Sequence, residues 1–290
     1  MARSSTYSIV ACDLDRREWG VAVQSRFLAI GALASWAEAE VGAVATQSFM
    51  NTDYGRTGLS LIREGLSARE ALDRVLASDP EPEKRQVGVV DRDGAVAGHT
   101  GEECVDWAGH RLGAGFAAQG NMLVSADTVD ALAETFAASE GPLARRLLAA
   151  LVAAQAAGGD RRGQQSAALL VARRGGGYGG ADVAVDLRVD DHPAPLRELE
   201  RLLGLHELYF GSTPAERWLP VSGTLEAEVR AALARLGYAT GDLEADLEMW
   251  AGIENLEERV DGAARIDPVV LDELRRLAAA TPNPQEERYG

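Results

Sequence analysis

The chain predicts an α+β protein: a four-layer αββα sandwich of two antiparallel sheets, followed by a small all-α domain. Three observations lead there. Apolar runs come in neighbouring pairs joined by polar or glycine turns, which is the pattern of hairpins and so of antiparallel sheets. Helical patterns also come in consecutive pairs, which suits helix layers better than the single alternation of a doubly wound sheet. Beyond residue 210 only helical patterns remain.

The elements follow in order. Thr6–Cys12 and Trp19–Ser25 read as two strands around a polar turn, and Val41–Gln47 as a third, buried strand. Helices are expected at about Tyr54–Arg63 and after Ser67. Ser67-Ala-Arg-Glu70 is a capping box, in which the hydroxyl takes an orphan N–H and the carboxylate reaches back. Ala68, Ala71, Leu72, Val75 and Leu76 share one face, and Pro80 and Pro82 end this helix. Gln86–Asp91 and Ala95–Thr100 form a hairpin around Arg92-Asp-Gly94. Gly113–Gln119 is expected to be a strand, followed by helices at Ser125–Ala138 and Pro142–Ala157. Ser166–Arg173 and Asp182–Asp190 are strands around the turn Gly175–Gly180, and a helix over Pro195–Tyr209 closes the first domain.

The expected organisation is a sandwich domain over 1–210, a linker over 211–220, a small helical domain over 221–282 and a Pro/Glu-rich frayed tail over 283–290. The formal charge is −16 for 290 residues. Residues 211–290 carry −8, as do the first 210, so the tail domain is far more acidic per residue. Nucleic acid and acidic membranes both need a basic footprint and are excluded as partners. Exposed hairpin edges and a helical appendage make a homodimer a reasonable expectation. No apolar run has transmembrane length, and charges at Asp13, Asp15, Arg16 and Arg17 interrupt a signal-peptide pattern, so the expected location is cytoplasmic.

Catalytic chemistry has few carriers. Lys84 is the single lysine and sits in a turn-like Glu81-Pro-Glu-Lys84 stretch. Cys12 and Cys104 have no metal spacing and read as buried thiols. His99, His110, His192 and His206 include no pair at zinc-ligand spacing, so no metal or cofactor is expected. Asp190, Asp191 and His192 read first as turn chemistry, with a divalent-ion role as the minority reading. The glycine-rich 175–180 stretch lies between strands without the lysine of a phosphate loop.

Four residues carry two readings each. Thr6 is a strand threonine or, with a free α-amine, a nucleophile and base in one residue. Asn121 in Gln119-Gly-Asn121 is a turn residue or an oxyanion donor. Asp160 belongs to an ordinary glycine loop or is delivered by it to a site. Trp107 is a core anchor or a pocket wall.

Several blocks, taken in order, resemble one bacterial family, known as domain of unknown function 1028. They are Thr6-Tyr-Ser-Ile-Val10, Gly20-Val-Ala-Val-Gln-Ser-Arg26, Gly42-Ala-Val-Ala-Thr-Gln47, Arg85-Gln-Val-Gly-Val-Val-Asp91, Trp107-Ala-Gly109, Gln119-Gly-Asn121, Ala157–Ala168 and Asp186–His192. The resemblance spans about residues 6–210. It implies an N-terminal-nucleophile (Ntn) hydrolase fold and an amidohydrolase acting on a small-molecule amide or peptide-like substrate, without a cofactor. Carried over, Thr6 becomes nucleophile and base, Asn121 an oxyanion donor, and Arg26 and Asp160 orienting groups. Gln47, Trp107, Gln165 and Ser166 become substrate contacts. This chain departs from the pattern in placing Met1–Ser5 ahead of Thr6. Cleavage at Ser5–Thr6, a misassigned start or an inactive fold would each account for that. An inactive fold implies a ligand-binding protein that keeps the sandwich. The C-terminal stretch, with its Leu236-Gly-Tyr238 turn, resembles a peptidoglycan-binding-like helical domain and is read as a packing or oligomerisation module.

Overall fold

Strands β1 (Thr6–Asp13) and β2 (Glu18–Ser25) are buried at every position, which a strand achieves only when both faces of its sheet are covered. In this computed structural model, which describes residues 6–281, the cover comes from helices on one side and a second sheet on the other. The chain continues through α1 (Gly31–Ala34), β3 (Ser35–Glu38), β4 (Gly42–Ser48), α2 (Asp53–Arg63) and α3 (Ala68–Ser78). Then come β5 (Arg85–Asp91), β6 (Val96–Thr100), β7 (Gly109–Gly113), β8 (Phe116–Asn121), α4 (Asp127–Ala138) and α5 (Leu143–Ala156). Strands β9 (Ser166–Ala172) and β10 (Val183–Val189) precede α6 (Pro195–Phe210).

One sheet has the order β10-β9-β2-β1-β8-β7 and the other β3-β4-β5-β6, and every pairing is antiparallel. Strand alternation then sorts the side chains. Tyr7, Ile9 and Ala11 of β1 join Leu132, Phe136, Leu147 and Leu151 of α4 and α5 in one apolar layer. Val44, Val87 and Val89 join Ile62, Leu72 and Val75 of α2 and α3 in another. Between the sheets lie Val10, Trp19, Val21, Ala43, Ala45, Val90 and Ala117. This is the expected αββα layering.

Local chemistry agrees with most of the sequence reading. The Ser67–Glu70 capping box forms, with Ser67 N donating to Glu70 Oε2 at 2.9 Å. Two departures have simple causes. The strand expected over 113–119 forms from Phe116 onward as β8, while its first residues are a hairpin corner, because Gly115 takes φ 70° and turns the chain between β7 and β8. The elements α1 and β3 have four residues each, too few to show a period.

The chain divides into two compact units, one up to Leu203 and one from Gly204. The second holds β11 (Leu219–Pro220), α7 (Thr224–Arg235), α8 (Leu243–Ile253), β12 (Val260–Asp261), β13 (Arg265–Ile266) and α9 (Pro268–Ala280). Val229, Leu233, Leu247, Trp250, Leu271 and Leu274 form its core. Its two-residue strands, in the order β11-β13-β12, are too short to have left a signal in the sequence. Arg259 donates to Asp267 Oδ2 at 2.7 and 2.9 Å and to Leu208 O at 2.5 Å, while Asp267 Oδ1 caps α9 by accepting from Val269 N. Among the described residues no helix is long and apolar enough to cross a membrane. The expected frayed tail at 283–290 lies outside the described residues, as do Met1–Ser5.

A buried ion pair fixes the end of the four-stranded sheet. Arg85 opens β5 and donates to both oxygens of Asp79, at 2.8 and 3.0 Å, and to Phe49 O at 2.5 Å. Asp79 also accepts from Asn51 Nδ2 at 3.0 Å and Glu81 N at 2.8 Å. The Arg85 guanidinium holds the Asp79 carboxyl well below the usual carboxylate range. Stability from this pair is therefore present above the ordinary aspartate value of 3.8 and is lost as pH falls towards the depressed one. Asp79→Asn, which strands a buried guanidinium, is expected to cost about 3 kcal/mol in urea unfolding at neutral pH. Its deficit should narrow when both proteins are unfolded below the ordinary aspartate value.

Gln24 presents the opposite case. It is fully buried on the helix-facing side of β2, opposite Tyr7, and neither amide atom has a partner among the described residues. Gln24→Leu removes a desolvation cost at similar volume and is expected to raise unfolding stability by about 1 kcal/mol, measured by the same titration.

Candidate functional site

The layer between the sheets changes character along its length. At one end it is apolar, with Val10, Trp19, Val21 and Val90. Towards the other end the same face turns polar: Ser8 and then Thr6 on β1, Ser25 on β2, Gln47 on β4, Gln86 on β5, and Gln119 and Asn121 on β8. All seven are buried, so each polar atom must find a partner inside the protein.

They pair with one another except for Gln119 Oε1, which has no partner among the described residues. Thr6 Oγ1 donates to Ser25 Oγ at 3.1 Å. Gln119 Nε2 donates to Ser8 Oγ at 2.8 Å, and Ser8 Oγ donates to Gln47 Oε1 at 2.6 Å. Gln47 Nε2 donates to Thr6 O at 3.1 Å and to Gln86 Oε1 at 2.7 Å. Asn121 Nδ2 donates to the same Gln86 oxygen at 3.0 Å. Gln86 Nε2 reaches Gly120 O at 2.8 Å, Thr100 Oγ1 at 3.0 Å and Gly109 O at 3.1 Å. Space for this network is made by Gly88, where a Cβ would lie 2.2 Å from Gln119 Oε1. The register sets Thr6 between Ser25 and Asn121, so the three side chains share one row across three strands.

His110 on β7 ends the network, with Nδ1 at 2.9 Å from Thr100 Oγ1. Thr100 Oγ1 thus joins two partners, accepting from the Gln86 amide and sharing a hydrogen with His110 Nδ1. Burial pushes its pKa below the ordinary 6.5, helped by the nearby charges of His99 and Arg111.

Behind this row stands Asp160, buried in the 158–163 loop. Its Oδ2 accepts from Arg26 N at 2.8 Å and its Oδ1 from Arg162 N at 2.8 Å, and Arg162 Nη2 lies 3.1 Å from Oδ2. Asp160 thus holds the residue that follows Ser25, while the exposed Arg26 guanidinium turns to Gln164 O at 3.3 Å. Tyr7 OH donates to Gln155 Oε1 at 3.0 Å on the other face, and burial first, then the Asp160 charge, pushes that phenol up.

Thr6, Asn121 and Gln47 of the sequence-derived set therefore meet in one buried network, and Asp160 adjoins it through the main chain of Arg26. The other three serve local contacts. Trp107 packs half-buried on the helix-side core and accepts from Leu123 N through its carbonyl at 3.1 Å. Gln165 Nε2 donates to Asp191 Oδ1 at 3.0 Å. Ser166 Oγ donates to Phe27 O at 2.5 Å and accepts from Ile30 N at 3.1 Å, so its hydroxyl ties the β2–α1 connection to β9. Sequence reading missed Ser8, Ser25, Gln86, Thr100, His110 and the side chain of Gln119. For Ser8, Ser25, Gln86 and Gln119 a signal existed, since each is polar at an inward-facing position of a fully buried strand; Thr100 and His110 lie on partly exposed strands and left none. Among the described residues no group of three or more His, Cys, Asp or Glu side chains could hold a metal.

Comparison with known proteins decides the family. The family model described as Family of unknown function (DUF1028) matches residues 6–199. The chain belongs to this family. A solved DUF1028 structure, protein SPO2555 from Silicibacter pomeroyi, is similar at 32% identity and a TM-score of 0.65, covering 72% of this chain and 92% of that one. No curated protein matches. Residues 211–274 match the model of a peptidoglycan-binding-like domain, so this DUF1028 chain carries that second module after its sandwich.

The depressed His110 pKa gives a pH signature. In the unfolded chain the imidazole takes a proton as pH falls through about 6.5, while the folded one resists it, so stability falls below that pH. His110→Gln is expected to remove up to about 1.4 kcal/mol per pH unit of that decline. Urea unfolding between about pH 8 and pH 5 measures it.

Proposed function

We propose that this protein is an N-terminal-nucleophile amidohydrolase acting on a small amide or peptide-like molecule, with Thr6 as nucleophile. One observation carries the reading. Thr6 is the first residue of a central strand, its hydroxyl lies in the polar row between the sheets, and Asn121 is its direct cross-strand neighbour. A hydroxyl, a main-chain nitrogen on the same residue and an amide donor beside them are the parts that acyl transfer needs.

The nitrogen becomes a base only when the Ser5–Thr6 bond is broken, because a peptide nitrogen does not take up protons. Thr6 Oγ adds to the Ser5 carbonyl, the C–N bond breaks, and the acyl group passes to Oγ as an ester while the nitrogen becomes the α-amine. Water then hydrolyses the ester and releases residues 1–5 as a carboxylate. The freed amine, with a pKa near ~8, takes the Oγ proton when Thr6 attacks a substrate carbonyl. Asn121 Nδ2 donates to the oxyanion, the amine returns the proton to the leaving nitrogen, and water resolves the acyl-enzyme. Asp160 keeps the Ser25–Arg26 corner in place beside the nucleophile. Gln47 lies nearest the reacting row among the proposed substrate contacts.

A second reading has its own support. Thr6 has no exposed surface and its hydroxyl is hydrogen-bonded, as suits an inactive ligand-binding protein that keeps the sandwich. Intact mass measurement of purified protein separates the two. The hydrolase reading expects a chain that begins at Thr6, an uncleaved Thr6→Ala variant and a Thr6→Ser variant that still cleaves. An amide substrate screen with the cleaved form then tests turnover. A wild-type chain that stays uncleaved, or a Thr6→Ala variant that is processed normally, refutes Thr6 as nucleophile.

A further inference from the structure

Hydrogen-bond directions in the polar layer follow from its main-chain members. Gly120 O and Gly109 O can only accept, so the Gln86 side chain must turn its nitrogen towards them. Its oxygen is thereby turned to the opposite side, where Gln47 Nε2 and Asn121 Nδ2 both converge on it at 2.7 and 3.0 Å. Gln47 is fixed independently, because its Nε2 also reaches the carbonyl of Thr6. One amide on the four-stranded sheet thus supplies the acceptor that orients Asn121 and gives the already oriented Gln47 a second acceptor. Gln86 is fully buried and makes no direct contact with the Thr6 hydroxyl.

We infer that Gln86 is the positioning residue of the candidate site: its carbonyl oxygen takes one Asn121 amide hydrogen, which turns the amide so that the other is left for the row of Thr6, and through Gln47 it helps hold the Thr6 main-chain carbonyl in place. It acts through Asn121 and Gln47 and touches no reacting atom. The inference deepens the hydrolase reading and rests on it for its catalytic consequence, while the orientation of Asn121 is measurable without any activity.

Two variants separate positioning from bulk stability. Gln86→Met keeps the length and loses the oxygen. Gln86→Glu keeps an oxygen facing Asn121 and Gln47, and burial favours its protonated form, which retains one hydrogen for the glycine carbonyls. Solvent exchange of the Asn121 side-chain amide, read by NMR on the full chain, is expected to be at least about 10-fold faster in Gln86→Met and near wild type in Gln86→Glu. Release of residues 1–5, followed by intact mass, is expected to slow about 100-fold in Gln86→Met, the scale of a small misplacement of reacting groups, with recovery in Gln86→Glu. Unchanged Asn121 exchange in a folded Gln86→Met protein overturns the inference. So does exchange or cleavage that follows the melting temperatures of the two variants instead of the retained oxygen. A wild-type chain that never releases residues 1–5 overturns the hydrolase reading instead, and the Asn121 exchange experiment still decides the role of Gln86.

Discussion

Burying an amide is costly unless it is paired, and in the polar layer of this protein that pairing holds the two sheets in register at one end. An apolar layer between sheets tolerates small shifts, because dispersion contacts are non-directional. A row of glutamines does not, because each donor needs its acceptor at about 3 Å and in line. Gln47 and Gln86 come from one sheet, and Thr6, Ser8, Gln119 and Asn121 from the other. Their bonds cross the interface, so the sheets are located against each other to hydrogen-bond tolerance where the candidate nucleophile stands. Such a network rigidifies when complete and is costly when broken, which suits a site more than a core.

The surroundings reinforce that end. Arg85 precedes Gln86, and its pairing with Asp79 and with Phe49 O ties the start of β5 to the segment after β4, close to Gln47 in sequence. On the six-stranded sheet Asp160 gathers Arg26 N and Arg162 around the corner after Ser25. In both places a buried carboxylate with an arginine partner fixes the strand ends that carry polar side chains. The second unit repeats the device with Arg259 and Asp267, where it organises a helix start and not a site. Removing one member of such a pair leaves an uncompensated charge, so these pairs are better understood as locks on geometry than as sources of stability.

Much of the fold was legible in the chain. Long periodic segments declared themselves, the Ser67 capping box formed as read, and paired hairpins and paired helices led to the αββα layering. Elements of two to four residues, β3, α1 and the small strands of the second unit, were not legible, because a period needs several repeats to be seen. The corner at Gly115 was read through, since one glycine in an alanine-rich run looks like strand continuation until its φ is known. Of the site, Thr6, Gln47, Asn121 and Asp160 were singled out, and the structure brings the first three into one network. Thr100 and His110 were passed over, since a lone polar residue in a partly exposed strand looks the same whether its face meets solvent or a second sheet.

By itself the sequence determined the alternation within each strand, the helix boundaries at caps and prolines, and the placing of a hydroxyl at the head of the first strand. These are local properties, set by neighbours within a few residues. Only the tertiary structure decided which polar residues share a layer, which way each amide points and which histidine ends the row. Those depend on the approach of segments separated by tens of residues. Hydrogen-bond direction in particular belongs to no single residue: two glycine carbonyls orient Gln86, Gln86 orients Asn121, and the chain of consequences exists only once the sheets have met.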